Sequence, residues 1–394
     1  MTFALSREHE TFRRSVREFA EAEIAPHVAQ WDKDHHFPVD LVHKMGDLGL
    51  FGLTAPEEFG GADGDFTSLC VAIEELGRVD QSIGITLEAG VGLGILPLLA
   101  YGTQEQKEHW LPDLVAGRTL AGFGLTEPGA GSDASATRTR AELDPSTGSG
   151  QAEWVVNGSK QFITNSGSPI TSCVTVTART GTRENGSPEI SAIILPAGTP
   201  GFVAEAPYDK LGWHISDTHP LSFTDVRVPA DSLLGERGRG YAQFLATLDD
   251  GRIAIAALAV GCIQACLDLC VQYAGERTTF GVPIGTKQGV AFQISDLAVM
   301  AQAGRALTYQ AAAMKDAGAP AKDVKQAASI AKLYTSESAV TATRIATQVF
   351  GGYGFMEEYP VARFYRDAKI LEIGEGTSEV QRMLIARGLG LPVE

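Results

Sequence analysis

Apolar positions return at helical spacing through the opening of the chain. After Ser6, a natural N-cap, Phe12, Val16, Phe19 and Ile24 share one face, and Pro26 marks the exit. A second amphipathic run covers 39–50 and ends at glycine, and a third covers about 66–79. Thr103 and Gln106 have the spacing of a capping box and predict a helix that carries Trp110, Leu111 and Leu114 and closes at Gly117. From Leu120 the grammar changes. The runs 154–164, 173–179, 189–195 and 221–228 are short, β-branched and partly alternating, with Gly, Pro, Asn and Ser between them. The stretch 144–150 reads as a hairpin tip or insertion. After Pro229 helices return over 239–273, 284–317 and 321–350, alanine-rich and patterned small-on-large as close antiparallel packing requires. A last helix is predicted from Ser378, capped by Ser378 with Gln381, to about Gly388. The expected class is therefore α+β and multidomain: an N-terminal α-helical domain over 1–120, a middle β domain of barrel or sandwich type over 121–235, and a C-terminal helical region with a four-helix bundle over 236–394.

Composition narrows the function. With 394 residues, 44% of them hydrophobic and 20% charged, the chain has ample material for large cores and is not disordered. Its longest greasy stretch, around 253–261, is interrupted by alanines and opened by Arg252, so no membrane span is expected. A net charge of −16 argues against nucleic acid and anionic membranes, while a local cation could still hold an anionic small molecule. The five cysteines are an odd number without a disulfide framework, which points to reduced thiols and a cytoplasmic protein; Cys262, Cys266 and Cys270 read as a small-residue stripe on a helix. The N-terminal residues show neither a signal-peptide h-region nor an acid-poor transit tract. The histidines, at 35, 36, 43, 109, 214 and 219 among others, have no metal-ligand spacing, and no Gly-x-Ser-x-Gly elbow is present, so neither a metal site nor a serine hydrolase is expected.

Six places along the chain are candidates for chemistry. The stretch 122–133, Gly-Phe-Gly-Leu-Thr-Glu-Pro-Gly-Ala-Gly-Ser-Asp, combines open backbone with hydroxyls and suits either a phosphate or ring-edge cradle or an ordinary Pro-Gly turn. Gly90, Gly92 and Gly94 lack the dinucleotide fingerprint and read as packing glycines; Gly351, Gly352 and Gly354 read first as a helix stop. Arg252 and Arg277 are each either a solvated charge or an anion contact. Glu375 stands in Ile373-Gly-Glu-Gly-Thr-Ser378. A first-turn acid complementing a helix dipole is common, but it leaves the two glycines unexplained; an unhindered base explains them.

Taken in order, Gly102-Thr-Gln-Glu-Gln-Lys107 with Leu111-Pro112, Leu125-Thr-Glu-Pro-Gly-Ala-Gly-Ser-Asp133, Phe162-Ile-Thr-Asn165, Asp250-Gly-Arg252, Glu276-Arg-Thr-Thr-Phe-Gly281, Gln348-Val-Phe-Gly-Gly352, Tyr365-Arg-Asp-Ala-Lys-Ile370 and Glu375-Gly-Thr-Ser378 resemble the acyl-CoA dehydrogenases over essentially the whole chain. The resemblance implies FAD between the β domain and the C-terminal bundle. Leu125, Thr126, Ser132, Phe162 and Thr164 would line the flavin, and Thr377 would touch it. Arg277, Phe280 and Gln288 would reach it from a neighbouring subunit, joined by Gln348, Gly351 and Gly352, which implies a homo-oligomer, usually a tetramer. Asp249 and Arg252 would stand on the CoA side of the substrate, with Ser132, Gly374 and Gly376 also contacting it. Glu375 would remove the α-proton while the β-hydrogen leaves as hydride to the flavin. The thioester oxygen would be stabilised by the backbone N–H at the glutamate and a ribityl hydroxyl.

The implied activity is α,β-dehydrogenation of an acyl-CoA, with an electron-transfer flavoprotein as acceptor. The sequence departs from the family pattern at Gly374, where an aromatic residue is frequent, and at Phe162, where tryptophan is. The first predicts a wider pocket for a short or branched acyl group. Some relatives carry the base on the helix after Leu248, but this chain offers only Asp249 and Asp250 there, so Glu375 is the expected base. Competing readings are an oxidase variant, in which oxygen meets the reduced flavin, and a catalytically silent FAD-binding scaffold, which Glu375 in its glycine frame argues against.

Overall fold

The structure is a computed structural model that describes residues 5–145 and 152–393. The predicted tip at 144–150 lies, beyond Pro145, outside the described residues. Seven helices open the chain: α1 (Arg7–Glu23), α2 (Val28–Asp34), α3 (Val39–Asp47), α4 (Phe66–Val79), α5 (Gln81–Glu88), α6 (Leu96–Tyr101) and α7 (Gln104–Val115). Ser6 caps α1 by accepting from the His9 N–H, and Thr103 and Gln106 form the predicted capping box on α7. Helices α2, α5 and α6 are not visible in the periodicity. The segment that contains α5 and α6 is buried on nearly every side, so it lacks the polar face that an amphipathic count needs. Asp80 breaks α4 with an extended backbone and at once caps α5 through the Ile83 N–H. Between α5 and α6 the chain winds as a π-helix over Ala89–Ile95. Gly90 and Gly94 pack there as expected, since a Cβ would stand 2.7 Å from the Phe51 ring at Gly90 and 3.2 Å from the Ala121 carbonyl at Gly94.

The middle of the chain forms β1 (Leu120–Gly124), β2 (Arg140–Asp144), β3 (Glu153–Thr164), β4 (Thr171–Thr182), β5 (Pro188–Pro196), β6 (Phe202–Ala204), β7 (Thr218–Pro229) and β8 (Leu233–Leu234). They make one sheet in the order β6-β7-β3-β2-β4-β5-β8, with β1 parallel to β4. Trp154, Val156, Val174, Val176, Ile193, Leu195, Phe223 and Val228 share one apolar cluster, and Phe202 and Leu233 from the two ends of the path pack on it. Distant strands can meet in one cluster only if the sheet curls around it, which gives the barrel-like form.

The C-terminal part holds α8 (Gly240–Glu276), a small hairpin of β9 (Thr278–Thr279) and β10 (Val282–Pro283), α9 (Gln288–Asp316), α10 (Ala321–Phe350), α11 (Pro360–Ala368) and α12 (Ser378–Gly388). Helix α8 is the spine: it packs against α9 and α10 and also against α4, so the two helical parts share one apolar core. This corrects the expectation drawn from apolar runs. Gln81–Tyr101 and Gly240–Glu276 each hold a window long and apolar enough to cross a membrane, well beyond the 253–261 run, but most of each window is buried inside the fold. Their hydrophobicity serves packing on all sides rather than one.

Helix α11 ties the parts together. Arg366 reaches Asp32 at 2.6 Å, Arg363 reaches Asp80 at 3.1 Å, and Asp367 accepts from the Trp213 N–H of the β domain at 2.6 Å. Within the β domain, the fully buried Lys160 donates to Glu127 (2.8 Å), Thr177 (3.0 Å) and the Leu125 carbonyl (3.1 Å), and so fixes the 122–133 loop to β3. Burial disfavours the Glu127 carboxylate, but the Lys160 ammonium and the Thr137 and Arg138 donors outweigh it and hold the group at about 2.

Removing one member of a buried ion pair strands the other, at a cost of about 3 kcal/mol. Lys160→Met should therefore lower the urea midpoint of unfolding at neutral pH. Because the folded value of Glu127 lies below its ordinary 4.5, its contribution is complete above that value and is lost as pH falls toward 2. Midpoints measured across that window should decline in the wild type and change less in Lys160→Met.

Candidate active site

Local backbone geometry sets up Glu375 first. After α11 a short 3-10 turn covers Lys369–Glu372, and the Ile373 and Gly374 N–H groups both donate to the Ile370 carbonyl. The chain then enters the left-handed region at Glu375 itself, φ 52°, and at Gly376, φ 92°. A non-glycine residue held there costs about 1–3 kcal/mol and persists only where its surroundings impose it. Here the fully buried Gln381 donates to the Glu375 and Gly376 carbonyls at 3.3 and 2.9 Å, and the fully buried Lys332 on α10 donates to the Gly376 carbonyl at 2.8 Å. The predicted cap at Ser378 is incorrect. Thr377 has the extended cap backbone and accepts from the Val380 N–H, Ser378 is already helical, and Gln381 turns to the loop instead of closing a box.

The carboxylate points inward. Both its oxygens are shielded from solvent, and among the described residues neither has a hydrogen-bond partner while this acid and Glu88 are both ionised. Its bed is Gly251, in the middle of α8, where any Cβ would collide with Glu375 Oε2. Glu88, the last residue of α5 and fully buried, faces it with two oxygens that are equally unpartnered. Burial pushes Glu375 up to about 7, against the opposing pull of Glu88, Lys332 and Arg252. Lys332 is itself brought down to about 8 by burial. Arg252, 4% exposed, pairs with Asp249 and stands beside this group, while Asp249 also faces Lys325 at 3.6 Å. Gly374 has room: a Cβ there would meet only the Ile370 carbonyl, at an ordinary 3.5 Å.

A second set of residues lies on the β domain. Leu125 is buried, and Thr126 accepts from the Gln161 N–H at 2.8 Å, which places it beside Phe162. Phe162 has a left-handed backbone, φ 61°, and a 60% exposed side chain 5.1 Å from the Tyr208 ring. Thr164 closes β3, and the next residue, Asn165, donates to the Thr86 carbonyl on α5, two residues before Glu88. Ser132 is exposed on a loop whose Gly129 and Gly131 face open space.

A third set gathers at one end of the bundle. Arg277 lies over the Tyr353 ring, Tyr273 stacks on Phe350, and Gly351 and Gly352 have nothing within 4 Å of a built Cβ. Gln288 and Gln348 are exposed, and Phe280 is 97% exposed. Among the described residues no hydrogen bond or ring contact joins this set to the β-domain set.

Models of the acyl-CoA dehydrogenase N-terminal, middle and C-terminal domains match residues 6–118, 122–226 and 238–390. This chain belongs to the acyl-CoA dehydrogenase family. It is 47% identical over 389 residues to the probable acyl-CoA dehydrogenase YngJ of Bacillus subtilis, covering 99% of this chain and 100% of that one. Butyryl-CoA dehydrogenase from Megasphaera elsdenii superposes with a TM-score of 0.92 at 41% identity, over 99% of this chain and 100% of that one. A chain in the structure of the electron transferring flavoprotein of Acidaminococcus fermentans gives 0.93 at 41% identity, over 99% of each chain.

In this acyl-CoA dehydrogenase the expected site residues fall around the buried Glu375 and into two surface sets, while Glu88, Gly251, Lys332 and Gln381 beside the acid were not among those expected. Glu88 had a signal, since it is the single charged residue between Ile83 and Leu99. Gly251 had another, a glycine in mid-helix at Asp250-Gly-Arg252. Lys332 and Gln381 had none, because only the fold turns them inward.

Gly251→Ala should leave α8 helical and displace the Glu375 carboxylate. With Glu375 as the expected base, a shift of about 1 Å in its carboxylate costs on the order of 10²-fold. Turnover should drop by that order while the thermal midpoint stays close to wild type, read by steady-state rates and circular dichroism.

Proposed function

We propose that this acyl-CoA dehydrogenase oxidises short acyl-CoA thioesters to 2-enoyl-CoA, with Glu375 as the base. The observation that carries this reading is the Glu375 carboxylate itself, excluded from water, in no salt bridge among the described residues and brought to about 7. A base of the ordinary carboxylate range is too weak for a thioester α-proton, and a fully ion-paired one is weaker still. Here the carboxylate accepts the α-proton, and the Glu375 N–H, which has no backbone acceptor among the described residues, would donate to the thioester oxygen as negative charge grows there. Loss of that proton and of a hydride from the β-carbon leaves the double bond.

FAD is the cofactor we assign, and when bound it accepts the hydride. The residues present fit such a group: an exposed Phe162 ring, open backbone at Gly129 and Gly131, the Thr126 and Ser132 hydroxyls, and Thr164 at the edge. Arg277, Phe280, Gln288, Gln348, Gly351 and Gly352 would hold the nucleotide of a second copy's cofactor, with Thr377 near the flavin of their own. Phe280 at 97%, Phe355 at 87% and Phe292 at 62% exposure support a homo-oligomer, since apolar groups so open favour cover by another chain. Asp249, Arg252, Ser132, Gly374 and Gly376 would contact the substrate. An electron-transfer flavoprotein is the proposed acceptor, supported by the structural likeness to the Acidaminococcus fermentans chain. The buried, unpaired state of all five cysteines supports a cytoplasmic setting.

Glu375→Gln should keep a bound flavin but lose bleaching by butyryl-CoA by about 10³-fold or more, followed anaerobically by absorbance; bleaching at the wild-type rate removes the assigned base. The space at Gly374 supports a wider acyl pocket. Gly374→Tyr should therefore shift kcat/KM from branched toward straight acyl-CoA thioesters, by about tenfold for a loss near 1.4 kcal/mol, and an unchanged preference would refute that reading.

A further inference from the structure

The proposed reaction uses one carboxylate, but two are buried together at this site. Glu88 ends α5 at the start of the π-helix, is fully buried, and among the described residues has no hydrogen-bond donor on either oxygen. Gly92, one turn on, leaves it room: a Cβ there would stand 3.0 Å from Glu88 Oε1. Across the gap is Glu375, seated on Gly251 and equally unpartnered. Two carboxylates in contact and away from water cannot both be ionised, so one of them keeps a proton.

The surrounding charges decide which. The cations near the pair, Lys332 from α10 and Arg252 from α8, act on Glu375. Asp249 is taken up by Arg252 and Lys325, Asp250 by Lys315 at 2.8 Å, and Glu372 and Glu379 face Lys332. Glu88 has only burial and Glu375 acting on it, and both push it upward. We propose that Glu88 is a positioning residue for the base: its neutral carboxyl donates a hydrogen bond to the Glu375 carboxylate, keeping that group ionised and fixing its direction before substrate arrives. No covalent step is involved, and the proton on Glu88 stays there through turnover.

This rests on Glu375 being the base, so the test separates the two ideas. kcat/KM for butyryl-CoA is measured against pH with wild-type, Glu88→Gln and Glu88→Leu holoenzymes. The wild type should show an acid limb near 7. Gln keeps a donor toward Glu375 and should leave the limb near its wild-type position. Leu removes the donor, and losing a hydrogen bond to a charged acceptor should raise the limb by about one pH unit. A limb that falls in Glu88→Leu would mean that Glu88 is an anion repelling the base, and a limb unmoved by Leu would mean that the two do not interact; either overturns the proposal.

An infrared titration adds a readout independent of rate. A protonated-carboxyl band should persist at alkaline pH in wild type and in Glu375→Gln, and should vanish in Glu88→Gln. If Glu375→Gln turns over normally, the base assignment fails while the band still reports on Glu88. If Glu375→Gln is inactive but the band is missing, or survives in Glu88→Gln, this inference fails alone.

Discussion

The structure turns on holding one carboxylate away from water while the nearest cations are committed to other partners. A buried Glu375 in a full ion pair would be a stable anion with little proton affinity, because each cation in contact with it would lower that affinity. In this chain the nearby cations are committed elsewhere. The Lys332 ammonium is committed to the Gly376 carbonyl and Arg252 to Asp249, so both reach Glu375 through space and not by direct contact. The backbone absorbs the rest of the cost through a left-handed φ at Glu375 and a glycine in the middle of α8. A mid-helix glycine weakens a helix by about 1 kcal/mol, which α8 tolerates because its burial by α4, α9 and α10 stabilises it many times over.

That same helix explains why the site forms only in the folded chain. Glu88, Gly251, Lys332 and Glu375 come from four elements spread over almost three hundred positions of sequence. Helix α8 contacts the N-terminal helices and the C-terminal bundle, and the Phe123–Phe244 stack at 3.8 Å joins it to the β domain. The β domain contributes a face more than a reacting group. Lys160 pins the 122–133 loop to β3, and Asn165 pins the end of β3 to α5, so the exposed Phe162 surface and the buried acids keep a fixed relation. Two clefts among the described residues, one among Arg13, Glu74, Glu75 and Arg305 and one among Trp31, Phe37 and Asp217, lie apart from this constellation, and the charges of the first are paired among themselves.

Much of the architecture was legible because it is written in local physics. Capping boxes, two-residue alternation and small-on-large helical spacing each need only neighbours in sequence, and they located α1, α4, α7, the β segment and the long helices. Where burial was complete the periodic signal disappeared, and α5 with its π-helix went unseen for that reason. The cap at Ser378 was misplaced by one residue because Thr377 and Ser378 carry equivalent hydroxyls, and only backbone conformation distinguishes which of them precedes the helix.

By itself the sequence determined that an acid flanked by glycines stands before the last helix, in a helical, β, helical chain with the motifs of one enzyme family. Those are properties of residue type and spacing. The tertiary structure decided what that acid experiences: which side chains exclude water from it, which cations reach it, and that a second carboxyl meets it across the pocket. Desolvation and through-space charge depend on distances between residues remote in sequence, and no local pattern contains them.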